Sequence, residues 1–209
     1  MARTFRVGTR SSRLALKQVD EVMGALKRIY PDREVDIVVM DTYGDKDKKT
    51  PISDIEGSDF FTREIDIALL RGDIDLAVHS AKDLPDRLAD GLEIVLTTPS
   101  IDPYDCLVSR NGLKLKGLPY AATIGTSSRR RKTQLKKYRN DFQVVDIRGS
   151  IEERLERLDN GDLDAIVIAA AGLIRLGLGH RITERIPFEI LRPHPLQGSL
   201  AVVVRKNED

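Results

Sequence analysis

The sequence predicts an α/β fold built as two doubly wound lobes. Short apolar segments typical of β-strands alternate with segments whose apolar residues recur at helical spacing. The alternation stops at "PSIDPYD", which begins at residue 99, and then starts again. It breaks a second time at "RPHPLQG", so we expect the chain to cross between the lobes twice.

The first lobe is predicted to contain a doubly wound parallel sheet, because its strands and helices alternate. In its first helix Leu16 and Val19 share one face, and Thr9, Ser11 or Ser12 is expected to cap the helix. The predicted elements are, in order, residues 5–9, 14–29, 35–42, 61–70, 74–81 and 92–98, with a long polar loop at 43–60.

The second lobe repeats the same alternation, and a last strand at 199–206 returns to the first lobe. We therefore expect a central cleft between the lobes, since open α/β sheets bind ligands beyond the ends of their strands. Its predicted strands are residues 106–109, 122–127 and 142–148, its helices are 128–138 and 151–158, and residues 164–178 form a strand that runs into a helix. Lobe 1 is predicted to comprise residues 1–98 and 197–209, lobe 2 residues 103–193, and the hinges residues 99–102 and 194–196.

The composition argues against several classes of function. The 209 residues carry a formal charge of only +1, so nothing suggests general attraction to nucleic acid or to a membrane. No apolar stretch is long enough to span a bilayer, and "MARTFRVGTRSS" lacks the apolar core of a signal peptide, so a cytoplasmic location is expected. Cys106 is the only cysteine, and the three histidines have no metal-ligand spacing, so neither a disulfide nor a metal site is expected.

The strongest local feature is the basic run in "TIGTSSRRRKTQLKKYR". Ser128 opens a predicted helix, and Arg130 and Arg131 follow beside its free N–H groups, a pattern that favours anion binding. Farther along, Lys132, Lys136, Lys137 and Arg139 are interpreted as a solvated helix face. Only Tyr138 interleaves the basic residues, so a nucleic-acid stacking surface is poorly supported.

Further arginines lie at other predicted strand-to-helix turns. Arg10 lies in "GTRSS", Arg148 and Arg154 in "DIRGSIEER", and Arg175 in "GLIRLG". Each alone is weak evidence, because surface arginines are common. If they converge on one cleft, they indicate a polyanionic ligand with several carboxylates.

The segment "VHSAKDLPD" places ionisable residues at the end of an apolar strand. Asp83 is either half of a surface pair with Lys82, or a helix cap, or a carboxylate that stabilises a cationic intermediate or moves a proton. His79 is either a general base or, as we favour, a structural hydrogen-bonding group in a buried strand.

Several of these segments together resemble the porphobilinogen deaminase (hydroxymethylbilane synthase) family. The resemblance implies lobes like those of type II periplasmic binding proteins and an enzyme that joins four porphobilinogen units, with loss of ammonia at each step. The matching segments are "VGTRSSRLAL", "DLAVHSAKDLP", "DPYDCLVS", "IGTSSRRR", "RGSIEERLERLDNGDLDAIVIAAAGLIRLGL" and "HPLQGSLAV".

The same resemblance implies roles for individual residues. Asp83 matches the catalytic aspartate that contacts pyrrole N–H groups and supports an azafulvene-like cation. The residues that match positions holding the acetate and propionate groups are Arg10, Ser12, Lys82, Ser128, Arg130, Arg131, Arg148, Arg154 and Arg175.

Three departures from the family pattern affect the expected cofactor. The sequence stops where the family's third domain, with its cofactor-bearing cysteine, is expected to begin, and Cys106 matches a buried strand residue instead. Asp54 and Ser58 stand where the family offers two lysines to the dipyrromethane cofactor, and Arg129 stands where the family has an apolar residue. We therefore expect no retained cofactor, and a separate third-domain chain is a candidate partner.

Two functions follow as hypotheses. The first is a deaminating transferase of tetrapyrrole biosynthesis that condenses porphobilinogen, in a shortened or primer-independent form. The alternative is a non-catalytic two-lobe protein that binds a pyrrole or a small polycarboxylate. Nucleic-acid binding through residues 129–139 is the weakest interpretation.

Overall fold

The computed structural model describes residues 4–47 and 58–206, and these divide into two compact units. Unit 1 contains the described residues up to Ser100 together with those from Ser199 onward, and unit 2 contains Ile101–Gly198. The predicted hinge at 194–196 therefore lies inside unit 2. Gln197 explains this placement, because its side-chain amide donates hydrogen bonds to the carbonyl of Pro103 and to Asp105.

Unit 1 contains a five-stranded sheet with the order β2-β1-β3-β10-β4. Strands β1 and β2 are parallel, as are β1 and β3, but β10 runs antiparallel to both of its neighbours. The expectation of a wholly parallel sheet was therefore wrong. The strand β10 begins opposite Ser80, where β3 ends, so it runs back along β3 without a crossover. The strands are β1 (Phe5–Arg10), β2 (Val35–Met40), β3 (Leu76–Ser80), β4 (Leu92–Thr97) and β10 (Leu200–Arg205).

Two layers of helix cover this sheet. Helix α1 (Arg13–Ile29) begins at Ser12, the predicted cap, whose hydroxyl accepts a hydrogen bond from the Ala15 amide. Helix α3 (Arg63–Arg71) packs on the opposite face and ends at Gly72, whose φ of 78° suits glycine.

The polar segment predicted as a loop at 43–60 contains helical turns in its described parts. Helix α2 (Tyr43–Lys46) occupies its start, where Thr42 and Asp45 form a capping box. A 3₁₀ turn at Asp59–Phe61 lies at its end, so α3 starts two residues later than predicted.

Unit 2 repeats the layered plan around a sheet with the order β7-β6-β8-β5-β9. Strands β6 and β7 are parallel, as are β6 and β8, and β5 is antiparallel to β8 and β9. Strand β9 has only two residues and escaped prediction. The strands are β5 (Asp105–Ser109), β6 (Thr123–Gly125), β7 (Gln143–Val145), β8 (Ala165–Ala169) and β9 (Glu184–Arg185), and the helices are α4 (Arg129–Tyr138), α5 (Ile151–Asp159) and α6 (Ala170–Arg175).

Each unit has its own core. Phe142, Leu135 and Ile124 are fully buried on one face of the unit 2 sheet, and Ile166 and Leu158 are fully buried on the other. Among the described residues, no helix is long and apolar enough to cross a membrane, and no cluster of His, Cys, Asp and Glu could hold a metal ion.

Candidate functional site

The carboxyl edge of the unit 1 sheet carries four of the predicted site residues. Strand β1 ends at Arg10, directly before the α1 cap Ser12. Strand β3 ends at Ser80, and the 3₁₀ turn Ala81–Asp83 follows at once. Neighbouring parallel strands end at the same edge, so Arg10, Ser12, Lys82 and Asp83 project from one side of this sheet.

Asp83 is exposed at this edge. In the part of the chain that the structure describes, its carboxylate makes no hydrogen bond and no salt bridge; it acts electrostatically on His79. Neither the Lys82–Asp83 pair nor a helix-capping bond is present there. Lys82 is half-buried in the same turn.

Arg10 is held by a carboxylate that the sequence analysis did not single out. Its Nε lies 3.1 Å and 3.2 Å from the two carboxylate oxygens of Asp45, and its Nη2 also contacts Asp45. The guanidinium lies over the ring of Phe61, 4.6 Å from the centroid. The Asp45 pKa is lowered: although burial acts to raise it, the hydrogen bond and charge of Arg10 prevail.

His79 lies beside this group but is buried and uncharged. Burial lowers its pKa to about 4, with the Arg10 charge acting in the same direction and Asp83 opposing. Its Nε2 atom has no hydrogen-bond partner among the described residues, so the favoured structural role is not supported at this atom. A base with so low a pKa is also poorly matched to proton transfer near neutral pH.

Unit 2 concentrates its positive charge on a single buried aspartate. Asp105 is fully buried at the start of β5. Its Oδ2 lies 2.6 Å from Arg130 Nη2, and its Oδ1 lies 2.6 Å from Arg131 Nη2 and 2.9 Å from Arg131 Nε. The amide of Gln197 donates to the same Oδ1 at 3.0 Å. One carboxylate thus positions two of the predicted anion-binding arginines.

The electrostatics of this network keep Asp105 ionised. Burial acts to raise its pKa, but the charges of Arg131 and Arg130 and their hydrogen bonds outweigh that effect, so the pKa is lowered. Two guanidinium groups against one carboxylate leave a positive excess. Asp105 and Gln197 were missed as site residues, although the signal was present: an aspartate opening an apolar strand needs a buried partner.

The other predicted residues of unit 2 lie at two strand-to-helix turns and one helix end. Ser128 is the N-terminal boundary residue of α4, but its side chain makes no capping bond. Arg148 follows β7 directly before Gly149, whose φ is 103°, and Arg154 in α5 reaches back to the Gly149 carbonyl at 2.9 Å. Arg175 corrects the prediction, because it lies at the C-terminal end of α6, where it donates to the Gly198 carbonyl.

The rest of the basic run faces solvent or makes local pairs, in line with its interpretation as a solvated face. Lys132 contacts Asp146 at 2.6 Å, and Arg139 contacts Asp141 at 2.7 Å while lying over Phe142. Lys136 is exposed.

Two of the departures noted in the sequence have a structural counterpart. Cys106 is fully buried in β5, as expected, and burial raises the pKa of its thiol to about 12. Ser58 caps the 3₁₀ turn that precedes α3, and its neighbour Asp59 pairs with Arg63 at 2.8 Å. Asp54 lies outside the described residues.

The family assignment rests on a model described as "Porphobilinogen deaminase, dipyromethane cofactor binding domain", which matches residues 5–209. The chain belongs to the porphobilinogen deaminase family. The porphobilinogen deaminase of Natranaerobius thermophilus is 45% identical over 98% of this chain. The enzyme of Geobacter metallireducens is 43% identical, also over 98%. The chain spans 66% and 64% of the lengths of these two relatives.

Solved structures support the predicted fold class. The VFT2 domain of Bordetella pertussis BvgS superposes with a TM-score of 0.54 at 16% identity, covering 97% of this chain and 80% of that domain. The probable amino-acid ABC transporter extracellular-binding protein YtmK of Bacillus subtilis gives 0.53 at 14% identity, covering 100% and 87%. At these identities the likeness concerns the fold alone, and it confirms the prediction of a fold like that of type II periplasmic binding proteins.

Proposed function

We propose that this chain condenses porphobilinogen units with loss of ammonia and that Asp83 is the catalytic carboxylate. The observation that carries this proposal is the state of Asp83, which is exposed at the carboxyl edge of its sheet without a hydrogen bond or salt bridge to any described residue. A carboxylate that the fold does not use is available to a ligand. The relatives named porphobilinogen deaminase support the choice of substrate.

The chemistry needs a negative charge where Asp83 lies. When ammonia leaves one unit, the carbon that held the nitrogen becomes part of a cation delocalised over the pyrrole ring. A ring carbon of the next unit attacks it, a carbon–carbon bond forms, and that ring carbon then loses its proton. The Asp83 carboxylate stabilises the cation and accepts hydrogen bonds from pyrrole N–H groups, which lowers the barrier to ammonia loss.

The basic residues serve the substrate carboxylates. Guanidinium groups bind carboxylates through two parallel hydrogen bonds, and a hydroxyl or an ammonium adds single donors. Arg130 and Arg131 are supported in this role by their common anchor on Asp105, which fixes their positions before a ligand arrives. The proposed substrate-binding residues are Arg10, Ser12, Lys82, Ser128, Arg130, Arg131, Arg148, Arg154 and Arg175.

We further propose that this chain holds no dipyrromethane cofactor through its own cysteine. A covalent anchor needs an accessible thiolate, whereas Cys106 is fully buried with a pKa of about 12. The arginines suit the carboxylates of such a group, but the thiol does not suit its attachment. A covalent anchor would then come from a separate third-domain chain, unless the reaction starts without a primer.

The test is porphobilinogen consumption by the purified chain, followed with a pyrrole-specific colour reagent, for the unaltered chain and for Asp83→Asn. We expect Asp83→Asn to lower turnover about 100-fold or more, because a positioned charge is lost from the transition state. Equilibrium binding of porphobilinogen should change much less, since the carboxylate-binding cations remain.

Asp86→Asn provides a matched control, because Asp86 is an exposed carboxylate in the same loop. It should leave both turnover and binding unchanged. Equal turnover by Asp83→Asn and the unaltered chain would overturn the role of Asp83. Binding without any turnover by the unaltered chain would overturn the catalytic proposal itself.

A further inference from the structure

A groove in unit 1 lies outside the residues assigned to porphobilinogen. It has a volume of about 640 Å³ and runs between helix α3 and the segment at 85–90. Apolar side chains line both sides, with Ile67 and Leu70 on the helix and Leu88 opposite them. Ile67 and Leu70 are 41% and 44% exposed, so the groove presents apolar surface to solvent.

The helix side of the groove is one continuous stripe. Arg63, Asp66, Ile67 and Leu70 recur at spacings of three and four residues, which places them on the same helix face. The residues Ile65, Ala68 and Leu69 lie on the opposite face and pack into the sheet core. The stripe is therefore free of any duty in the core.

Asp66 differs from the rest of this stripe because it is only 5% exposed. Thr62 donates a hydrogen bond to its Oδ2 at 3.0 Å. Its Oδ1 is buried and has no hydrogen-bond partner. Buried polar atoms are almost always satisfied, so a carboxylate oxygen without a donor at a groove indicates a missing partner.

The charges around Asp66 indicate the sign of that partner. The two arginines that line the groove are each already paired, Arg63 with Asp59 at 2.8 Å and Arg87 with Asp90 at 3.0 Å. The carboxylate of Asp66 is left without a compensating cation. Burial, with a contribution from the Asp59 charge, raises its pKa, as expected for a carboxyl whose charge the protein does not balance.

We propose that this groove binds a ligand that carries an aliphatic ammonium group. The ammonium donates a hydrogen bond to Asp66 Oδ1, and the alkyl stem lies along Ile67 and Leu70. An ammonium combines a positive charge with compact donors, and a flexible carbon stem covers apolar surface on the way to a charged group. The site does not depend on the proposed reaction, because it shares no residue with it.

The experiment uses pentylammonium as the probe, with 1-pentanol as its uncharged counterpart. Amide chemical shifts of the ¹⁵N-labelled chain are followed during titration with each compound. We expect pentylammonium to shift the signals of α3 and of residues 85–90, and 1-pentanol to bind about tenfold more weakly because it lacks the charge.

Three variants separate the parts of the site. Asp66→Asn keeps the shape and removes the charge, so pentylammonium affinity should fall about tenfold. Leu70→Ala shortens the apolar wall and should weaken both probes about two- to fourfold. Asp90→Asn removes a carboxylate on the same groove that Arg87 already pairs, and affinity should change less than about twofold.

Specific outcomes would overturn the proposal. These are equal affinity of Asp66→Asn and the unaltered chain for pentylammonium, equal binding of the two probes, or no shift at α3 at saturating probe. A loss of affinity in Asp90→Asn as large as in Asp66→Asn would reduce the effect to general surface charge and would also contradict it. If Asp66→Asn fails to fold, Leu70→Ala and the comparison of the two probes still decide.

Discussion

The two units hold their edge arginines in different ways. In unit 2, Arg130 and Arg131 share Asp105, which is fully buried. In unit 1, Arg10 pairs with Asp45, whose side chain is 19% exposed and lies on the short helix α2. A ligand carboxylate can compete with Asp45 for Arg10, whereas Asp105 cannot leave its partners without exposing the core. Unit 2 therefore presents fixed cations, and unit 1 presents a cation that can exchange partners.

The buried titratable groups of the two units differ in the same sense. Asp105 is charged and makes several hydrogen bonds, so its environment favours the ionised form. His79 is neutral and its Nε2 lacks a partner, so its environment disfavours the ionised form. Both lie where a strand meets the carboxyl edge of its sheet. The unit 2 edge is therefore organised by buried charge, and the unit 1 edge is organised around an uncharged ring.

The largest expected effect comes from breaking the unit 2 network. Asp105→Asn leaves Arg130 and the buried Arg131 without a counter-charge. We expect the free energy of unfolding to fall by about 3–5 kcal/mol, because removing one partner leaves a buried charge uncompensated. Urea unfolding followed by circular dichroism measures this change.

Asp146→Asn is the matched control in the same unit. Asp146 pairs with Lys132, but its side chain is 50% exposed, so the loss should be about 1 kcal/mol or less. A similar small loss for Asp105→Asn would show that burial does not distinguish the two pairs, and the contrast between the units would fail.

A second prediction concerns pH and belongs to unit 1. The pKa of His79 is about 4 in the folded chain against an ordinary value of 6.5. Below pH 6.5 the unfolded chain takes up a proton that the folded chain does not, so stability falls as the pH drops from 6.5 to 4. The loss from this group reaches about 3 kcal/mol over that range.

His79→Gln removes this titration. The difference in unfolding free energy between the unaltered chain and the variant should change by about 3 kcal/mol between pH 7 and pH 4. Acidic groups common to both proteins cancel in the difference. His180→Gln, at an exposed position, should give a difference that does not change with pH in this way. A flat difference for His79→Gln would mean that the ring is hydrated or hydrogen-bonded in solution.

The contrast between the units also shows what the sequence could predict of the fold. Strands and helices with regular apolar spacing were predicted to within a few residues, as for α1 and β10. The direction of β10 was not, because a strand pattern carries no sign and the direction depends on where the chain re-enters the unit. The two-residue β9 has too few residues for any periodicity.

The candidate site was predictable in its cations but not in their partners. Arginines at strand ends stand out in a sequence, whereas Asp105 and Asp45 contact their arginines across 25 or more positions of the chain. Pairing at such separation depends on the tertiary fold. The resemblance that identified Arg130 and Arg131 concerned ligand binding and did not reveal what orients them.

The smallest expected effect tests the exchangeable pair of unit 1. Asp45→Asn keeps an acceptor for the Thr42 cap and removes the charge opposite Arg10. We expect a loss of about 1 kcal/mol in unfolding free energy, since this pair is partly exposed. The loss should shrink in 1 M salt, where the screening length is about 3 Å. It should also shrink as the pH falls below the ordinary carboxyl range, because the Asp45 pKa is lowered and protonation breaks the pair.

The variant also tests whether the pair restrains ligand binding. If a substrate carboxylate displaces Asp45 from Arg10, removing the Asp45 charge should tighten porphobilinogen binding by a few-fold, because the arginine no longer has to give up a partner. Ser11 contacts Asp41 in the same region, and Asp41→Asn serves as a control that leaves Arg10 paired. A loss as large as that of Asp105→Asn, with weaker binding, would mean that Asp45 is a fixed support like Asp105. The two units would then hold their arginines in the same way despite the difference in burial.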